Sequence, residues 1–218
     1  MVENKIHTLW PILIGEFHNK DHQKIKKDLI KFFKDYEKKN PIGSKNSRNG
    51  EIENYNLYES KYNLHEENNE SLKKVLNFIG KSILTMSNYV NKKSIEQLTN
   101  KNQNFKVNLS ETWFIRYNKG GVVFPHDHGN CSWCCVYYIQ IGKDAKKKHG
   151  STYFMRPYVS PDNNDFGGKY YSRVSAGIFE AEEGKMLVWP SFLYHGSHPY
   201  HGEQDRIILS ANSSINLV

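Results

Sequence analysis

The chain has 218 residues, 38% of them hydrophobic and 13% aromatic, with a formal net charge of +7. That is enough apolar material for a real core despite a mean hydropathy of −0.73, and no run approaches the roughly 20 apolar residues of a membrane helix. The lysines concentrate in "KDHQKIKKDLIKFFKDYEKK", where acidic residues dilute them, and in the hairpin-tip segment "GKDAKKKHG", so they read as a solvated face and speak against a nucleic-acid partner.

The opening segment, "MVENKIHTLWPILIGEF", has no basic-then-apolar leader and reads as a mature start of a cytoplasmic protein. A first helix follows: Ile25, Leu29, Phe32, Phe33 and Tyr36 fall on one stripe with lysines opposite. The segment "IGSKNSRNGE" is a loop, and "IENYNLYES" is expected to hold a short strand. A second helix carries Leu72, Val75, Leu76, Ile79, Ile83, Met86 and Val90, with an Asn or Ser of "ENNES" as its cap.

Beyond about residue 105 the texture changes. Short β-branched and aromatic runs alternate with glycine-marked turns: "TWFIRY", "CCVYYIQI", "STYFMR", "AGIFEA", "KMLVWP" and "RIILSA". This pattern predicts an antiparallel sandwich or jelly roll. The fold class is therefore α+β and mainly β, with 1–104 a helical support region and 105–218 a β core of one domain. The stretch from Pro157 to Ser175 is a long irregular loop of the kind that forms lids.

Chemistry concentrates in three places. "GGVVFPHDHGN" carries His126 and His128, "KMLVWPSFLYHGSHP" carries His195, and "QDRIILSANSS" opens with Arg206. Positions i and i+2 of a strand share a face, so His126 and His128 can reach one ion. A third imidazole from a distant strand would leave open coordination positions, which suits a non-haem iron site. The usual site has two His and one carboxylate, and the carboxylate position here is His128. Either three histidines bind, as strand alternation favours, or a bulge turns Asp127 inward. His198 and His201 are rival third ligands in a turn-rich loop. The guanidinium of Arg206 suits a bidentate grip on a carboxylate.

Cys131, Cys134 and Cys135 are an odd cluster and do not form a secretory disulfide framework. With His126 and His128, Cys131 and Cys134 make four soft ligands in nine residues. A zinc-stabilised interaction module is therefore an alternative, though structural zinc usually takes two pairs separated by a longer loop. A jelly roll that binds metal without oxygenation, as a sensor, is another.

On these residues the stretch from about 105 to 213 resembles the 2-oxoglutarate/Fe(II)-dependent dioxygenase superfamily, and within it the prolyl-hydroxylase-like branch that carries H-x-H. The matching pieces are Trp113, Gly120-Gly121, "PHDHGN" from Pro125, "VYYI" from Val136, Gly184 to Pro190, His195, and Arg206 with Ser210 and Asn212. The resemblance implies a double-stranded β-helix (a cupin-like jelly roll) with the N-terminal helices packed on one sheet. It implies Fe(II) on His126, His128 and His195, 2-oxoglutarate anchored by Arg206 with help from Tyr138 and Tyr117, and O2 as oxidant. The substrate would be an amino acid, a peptide or a small molecule, with Trp133, Tyr153 and the loop 157–175 lining its approach. A homo-oligomer is compatible with the resemblance. The chain departs from its relatives in His128 and in Arg206-Ile207-Ile208, where many carry a serine two residues after the arginine.

Overall fold

A computed structural model describes residues 11–44, 56–98, 105–146, 148–157 and 176–217, with the side chains of all but 92–98 and 217. The elements run β1 (Gly15–His18), α1 (His22–Lys39), β2 (Leu57–Glu59), a single 3-10 turn (Leu64–Glu66) and α2 (Glu70–Leu98). They continue with β3 (Phe105–Tyr117), β4 (Val123–His126), β5 (Trp133–Gln140), β6 (Thr152–Met155), β7 (Ala176–Phe179), β8 (Lys185–Pro190), β9 (His195–Ser197) and β10 (Arg206–Leu217).

Two sheets form. One has the order β1-β8-β5-β10-β3-β2, the other β4-β9-β6-β7, and all the strand pairs are antiparallel. From β3 onward the chain steps between the sheets, so that β3, β5, β8 and β10 share one and β4, β6, β7 and β9 the other. That stepping is the winding of a double-stranded β-helix, and the fold is the expected one.

Two cores explain the sequence texture. On one face of the six-stranded sheet, Ile25, Leu29 and Phe33 of α1 and Leu72, Val75, Ile79 and Ile83 of α2 pack on Tyr137, Ile139, Val188, Leu209 and Ala211. The Phe33 and Phe114 rings stack with centroids 4.3 Å apart. Burying each such side chain stabilises the fold by about 1.5–3 kcal/mol. The other face, with Cys134, Val136, Tyr138, Leu187, Trp189 and Ile208, belongs to the space between the sheets. Strand β5 is buried along its whole length because its odd residues face helices and its even residues face the interior.

The α1 stripe is as read, with Phe32 at its margin. Helix α2 starts after Asn69, whose Oδ1 accepts from the Leu72 N–H at 2.9 Å, an N-cap of the ordinary kind. Its buried face ends at Met86 and Ser87, and Val90 is exposed. Strands β3 and β10 run longer than their apolar centres because they pair with each other along their length. Three strands escaped the sequence pattern: β1, β4 and β9, at four, four and three residues. Of the loop 157–175, only Pro157 lies among the described residues.

Candidate active site

Two short strands carry two of the histidines. β4 ends at His126 and β9 begins at His195, and the two are direct cross-strand partners. Their rings lie 4.4 Å apart between centroids. His128 sits two residues past His126, just beyond the strand end. Its backbone N–H bonds the Ser191 carbonyl at 3.0 Å, and its ring lies 5.1 Å from both other imidazoles. One ligand atom of each histidine lies within 4.8 Å of the others. Asp127 is exposed while His128 is buried, so the backbone turns the histidine, not the carboxylate, toward the group.

Hydrogen bonds fix the chemistry of two rings. His126 Nδ1 meets the Phe124 carbonyl at 2.8 Å, and His195 Nδ1 meets the Leu193 carbonyl at 2.8 Å. A carbonyl only accepts, so each Nδ1 carries a proton, and in the neutral imidazole the lone pair is then on Nε2. This is the second hydrogen bond that metal-bound imidazoles usually make. Trp113 stacks on His128 with centroids 6.1 Å apart, and Trp189 meets His195 edge-on at 4.6 Å. Aromatic walls of this kind fix ring orientation and keep water out.

The same cavity reaches Arg206. Arg206 opens β10 opposite Tyr117 of β3 and is 1% exposed. Its Nε and Nη1 are buried with no hydrogen-bond partner among the described residues. A guanidinium stays protonated at any ordinary pH, and an unpaired buried charge is costly. Cation–π contact offsets part of that cost: the guanidinium carbon is 4.2 Å from the Tyr117 ring centroid and 5.5 Å from that of Tyr138. The remaining donors call for an anion. The Tyr138 hydroxyl bonds Thr152 Oγ1 at 2.6 Å, and burial raises its pKa while Arg206 opposes the rise. Both Tyr138 and Thr152 are neutral polar neighbours of the arginine pocket.

Gly150 makes the cradle possible. Its φ is +65°, and a Cβ there would stand 2.6 Å from Arg206 Cδ. Only glycine fits on both counts. Thr152 and Gly150 were not singled out in the sequence; the turn "HGST" before a short strand gives no sign of what it packs against. Ile208 lines the cavity where many relatives of the resemblance carry serine.

Other residues fall elsewhere. His198 stacks on Tyr153 with centroids 5.1 Å apart, and His201 pairs with His149 at 5.2 Å, both away from the histidine group. Trp133 belongs to the helix-side core, opposite Pro190, and is not among the residues that line the cavity. Cys131 and Cys134 lie with Sγ atoms 3.4 Å apart. They group with His128, while His126 groups with His195, so the four-ligand zinc knuckle is not assembled. The bond with Cys134 lowers the Cys131 thiol pKa against the effect of burial.

The cavity fits iron and a dicarboxylate co-substrate: neutral imidazole donors at one part of its lining, an unpaired buried cation at another. Comparison with known proteins agrees. Residues 111–212 match the family described as "Putative 2OG-Fe(II) oxygenase". No protein of curated function matches the chain by sequence. Among solved structures, a prolyl-4-hydroxylase from Pseudomonas putida aligns over 91% of this chain and 91% of its own at 12% identity, TM-score 0.56. A prolyl hydroxylase from Trichoplax adhaerens, solved with a hypoxia inducible factor oxygen degradation domain peptide fragment, aligns over 92% and 83% at 10% identity, TM-score 0.55. HygX from Streptomyces hygroscopicus with nickel and 2-oxoglutarate aligns over 93% and 82% at 9% identity, TM-score 0.52. With hygromycin B also bound, HygX aligns over only 50% of this chain and 56% of its own, TM-score 0.36. At such identities the likeness is one of fold.

Proposed function

We propose that the chain is a 2-oxoglutarate–Fe(II) oxygenase, the family whose model residues 111–212 match, with His126, His128 and His195 holding its iron and Arg206 anchoring its co-substrate. On this reading the chain is an oxidoreductase that hydroxylates an amino-acid, peptide or small-molecule substrate. When bound, the iron and 2-oxoglutarate supply the oxidising chemistry: O2 is consumed, succinate and CO2 form, and a substrate C–H becomes C–OH. The chain's own residues bind, orient and exclude water.

Three neutral imidazoles leave the full dication charge in place, where a carboxylate ligand would cancel part of it. Such a site attracts an anionic chelator more strongly. Arg206 then takes the far carboxylate, with Tyr138 and Tyr117 as its walls. The carrying observation is that Nε and Nη1 of Arg206 are buried, with no hydrogen-bond partner among the described residues, in the cavity the three histidines line. The peptide held by the Trichoplax protein supports a peptide among the candidate substrates. No described helix is long and apolar enough to cross a membrane. We read the chain as a single domain. Three cysteines within five positions do not make a secretory disulfide framework, which supports a reducing, cytoplasmic setting.

The test is anaerobic loading with Fe(II), addition of 2-oxoglutarate, then admission of O2 and assay of succinate. Succinate should form without added substrate, vanish in His195→Ala and fall in Arg206→Ala. Iron-loaded protein that neither binds nor consumes 2-oxoglutarate would overturn the proposal; binding without succinate would make the chain a sensor.

A further inference from the structure

Cys131 and Cys134 stand in C-x-x-C spacing; Cys134 lines the cavity, but the iron and 2-oxoglutarate reading gives neither thiol a role. Their sulfurs are already in contact, 3.4 Å apart. The two differ in setting. Cys134 lies in β5, held opposite Trp189 of β8 and Asn212 of β10, and is 1% exposed. Cys131 lies in the turn that joins His128 to β5 and is partly exposed. One thiol is reachable from solvent, and its partner is shielded behind it. That is the layout of an attacking and a resolving cysteine.

We propose that Cys131 and Cys134 form a redox-active dithiol whose closure to a disulfide displaces His128. The consequence for metal rests on the iron reading above; the disulfide itself does not. The oxidant is a hydroperoxide. The Cys131 thiolate attacks one peroxide oxygen, the O–O bond breaks, and Cys131 becomes a sulfenic acid as an alcohol or water leaves. Cys134 Sγ then attacks that sulfur, the S–S bond forms, and the sulfenic hydroxyl departs as water with the Cys134 proton. Two thiols and one hydroperoxide give one disulfide, one alcohol (water, for hydrogen peroxide) and one water.

The coupling to His128 follows from the hydrogen bonds. A disulfide is about 2.05 Å long, so closure draws the sulfurs together by more than 1 Å from 3.4 Å. Cys134 is fixed by ladders on both sides, so the Cys131 turn must move. Ser132, between the two cysteines, donates its N–H to Ser213 O at 2.8 Å and accepts from Ser191 N–H at 3.1 Å. Ser191 O in turn holds the His128 N–H at 3.0 Å. Between His128 and Cys131 stand only Gly129 and Asn130, and a Cβ on Gly129 would meet open space. The pull therefore falls on a short, yielding turn whose other end is His128.

A soft metal is the rival occupant, since ligand atoms of His128, Cys131 and Cys134 lie within 4.8 Å of one another. Three donors fall short of the four of structural zinc, and His128 would have to leave the histidine group.

The experiment uses reduced, metal-free full chain treated with hydrogen peroxide. Titratable thiols should fall from three to one, the survivor being Cys135, whose thiol burial pushes up to about 12. Peptide mapping should find Cys131 linked to Cys134, and Cys134→Ser should leave a sulfenic acid on Cys131 that dimedone captures. The oxidised chain should bind Fe(II) at least about 10-fold more weakly, as for lost ligand support, with recovery after dithiothreitol. Cys131→Ser should keep its affinity through peroxide treatment. Oxidation of Cys131 without a cross-link, or a cross-link with unchanged Fe(II) affinity, would overturn the proposal. So would zinc that co-purifies stoichiometrically and is lost in Cys131→Ser. Failure of the reduced chain to bind Fe(II) would sink the iron reading instead, and with it only the His128 consequence.

Discussion

Arg206 and Tyr117 are cross-strand partners, and the arginine folds back so that its guanidinium carbon lies 4.2 Å from the tyrosine ring centroid. The ring supports the cation, yet it accepts no conventional hydrogen bond. The arginine therefore folds with unused donors in a closed place. Three consequences concern that pocket and its metal neighbour, and two concern the scaffold.

Arg206→Met should weaken 2-oxoglutarate binding as Arg206→Ala does, yet leave the unliganded protein as stable as the parent or more so. Replacing a buried charge that has no partner with an apolar chain of similar volume is often neutral or stabilising. Arg206→Ala should weaken 2-oxoglutarate by about 30-fold or more, the 2–5 kcal/mol of a truncated buried charge pair. Thermal melts with and without 2-oxoglutarate, on metal-loaded protein, check both.

Tyr138→Phe removes the hydroxyl that bonds Thr152 Oγ1 at 2.6 Å and leaves the threonine hydroxyl without that partner. The expected cost is about 1 kcal/mol of fold stability, with 2-oxoglutarate affinity down by several fold. Titration calorimetry and urea melts separate the two effects.

Asp127→Ala should leave Fe(II) affinity within about twofold, since an exposed side chain outside the histidine group contributes little. His128→Ala should lose at least about 100-fold, and His128→Asp should keep binding, because two His and one carboxylate is the commoner iron set. Equal losses in Asp127→Ala and His128→Ala would contradict the placement. Anaerobic Fe(II) titration is the measurement.

Acid should destabilise the fold through His22. Its Nδ1 lies 2.7 Å from the Tyr137 hydroxyl, and burial holds its pKa below the ordinary 6.5. The unfolded chain thus binds a proton that the folded chain resists. Stability is full above pH 6.5, falls as pH drops below that value, and levels off once the folded imidazole also titrates. His22→Gln should flatten that limb of the melting-temperature profile.

Phe33→Ala should cost about 3–5 kcal/mol, because it empties a fully enclosed site against Phe114 in the helix-side core. Denaturant unfolding gives the number directly, and metal affinity at temperatures below the melt should not change.

What could be read in advance follows from length and periodicity. The stripe of Ile25, Leu29 and Phe33 and the runs around Val136 and Leu187 announce themselves because each spans enough residues to show a period. Strands β4 and β9 do not, being four and three residues long. Yet they carry His126 and His195, so those candidate ligands were legible through residue type and order, not through local structure. The anion pocket was half legible: Arg206 stood out by chemistry, while Gly150 and Thr152 enter it only through tertiary packing. Trp133 misled for the same reason. Its place in the chain suggested the cavity mouth, but alternation along β5 sends it to the helices.

The division of labour between strands has a kinetic reading. Arg206 starts a twelve-residue strand paired on both sides, whereas His126 ends an edge strand of four residues. Amide hydrogens around Arg206 should exchange only on global opening, and those around His126 through local fraying. Metal can then escape by a small breathing motion of the β4 edge while the carboxylate cradle stays folded, so chelators should strip the site far faster than the protein unfolds.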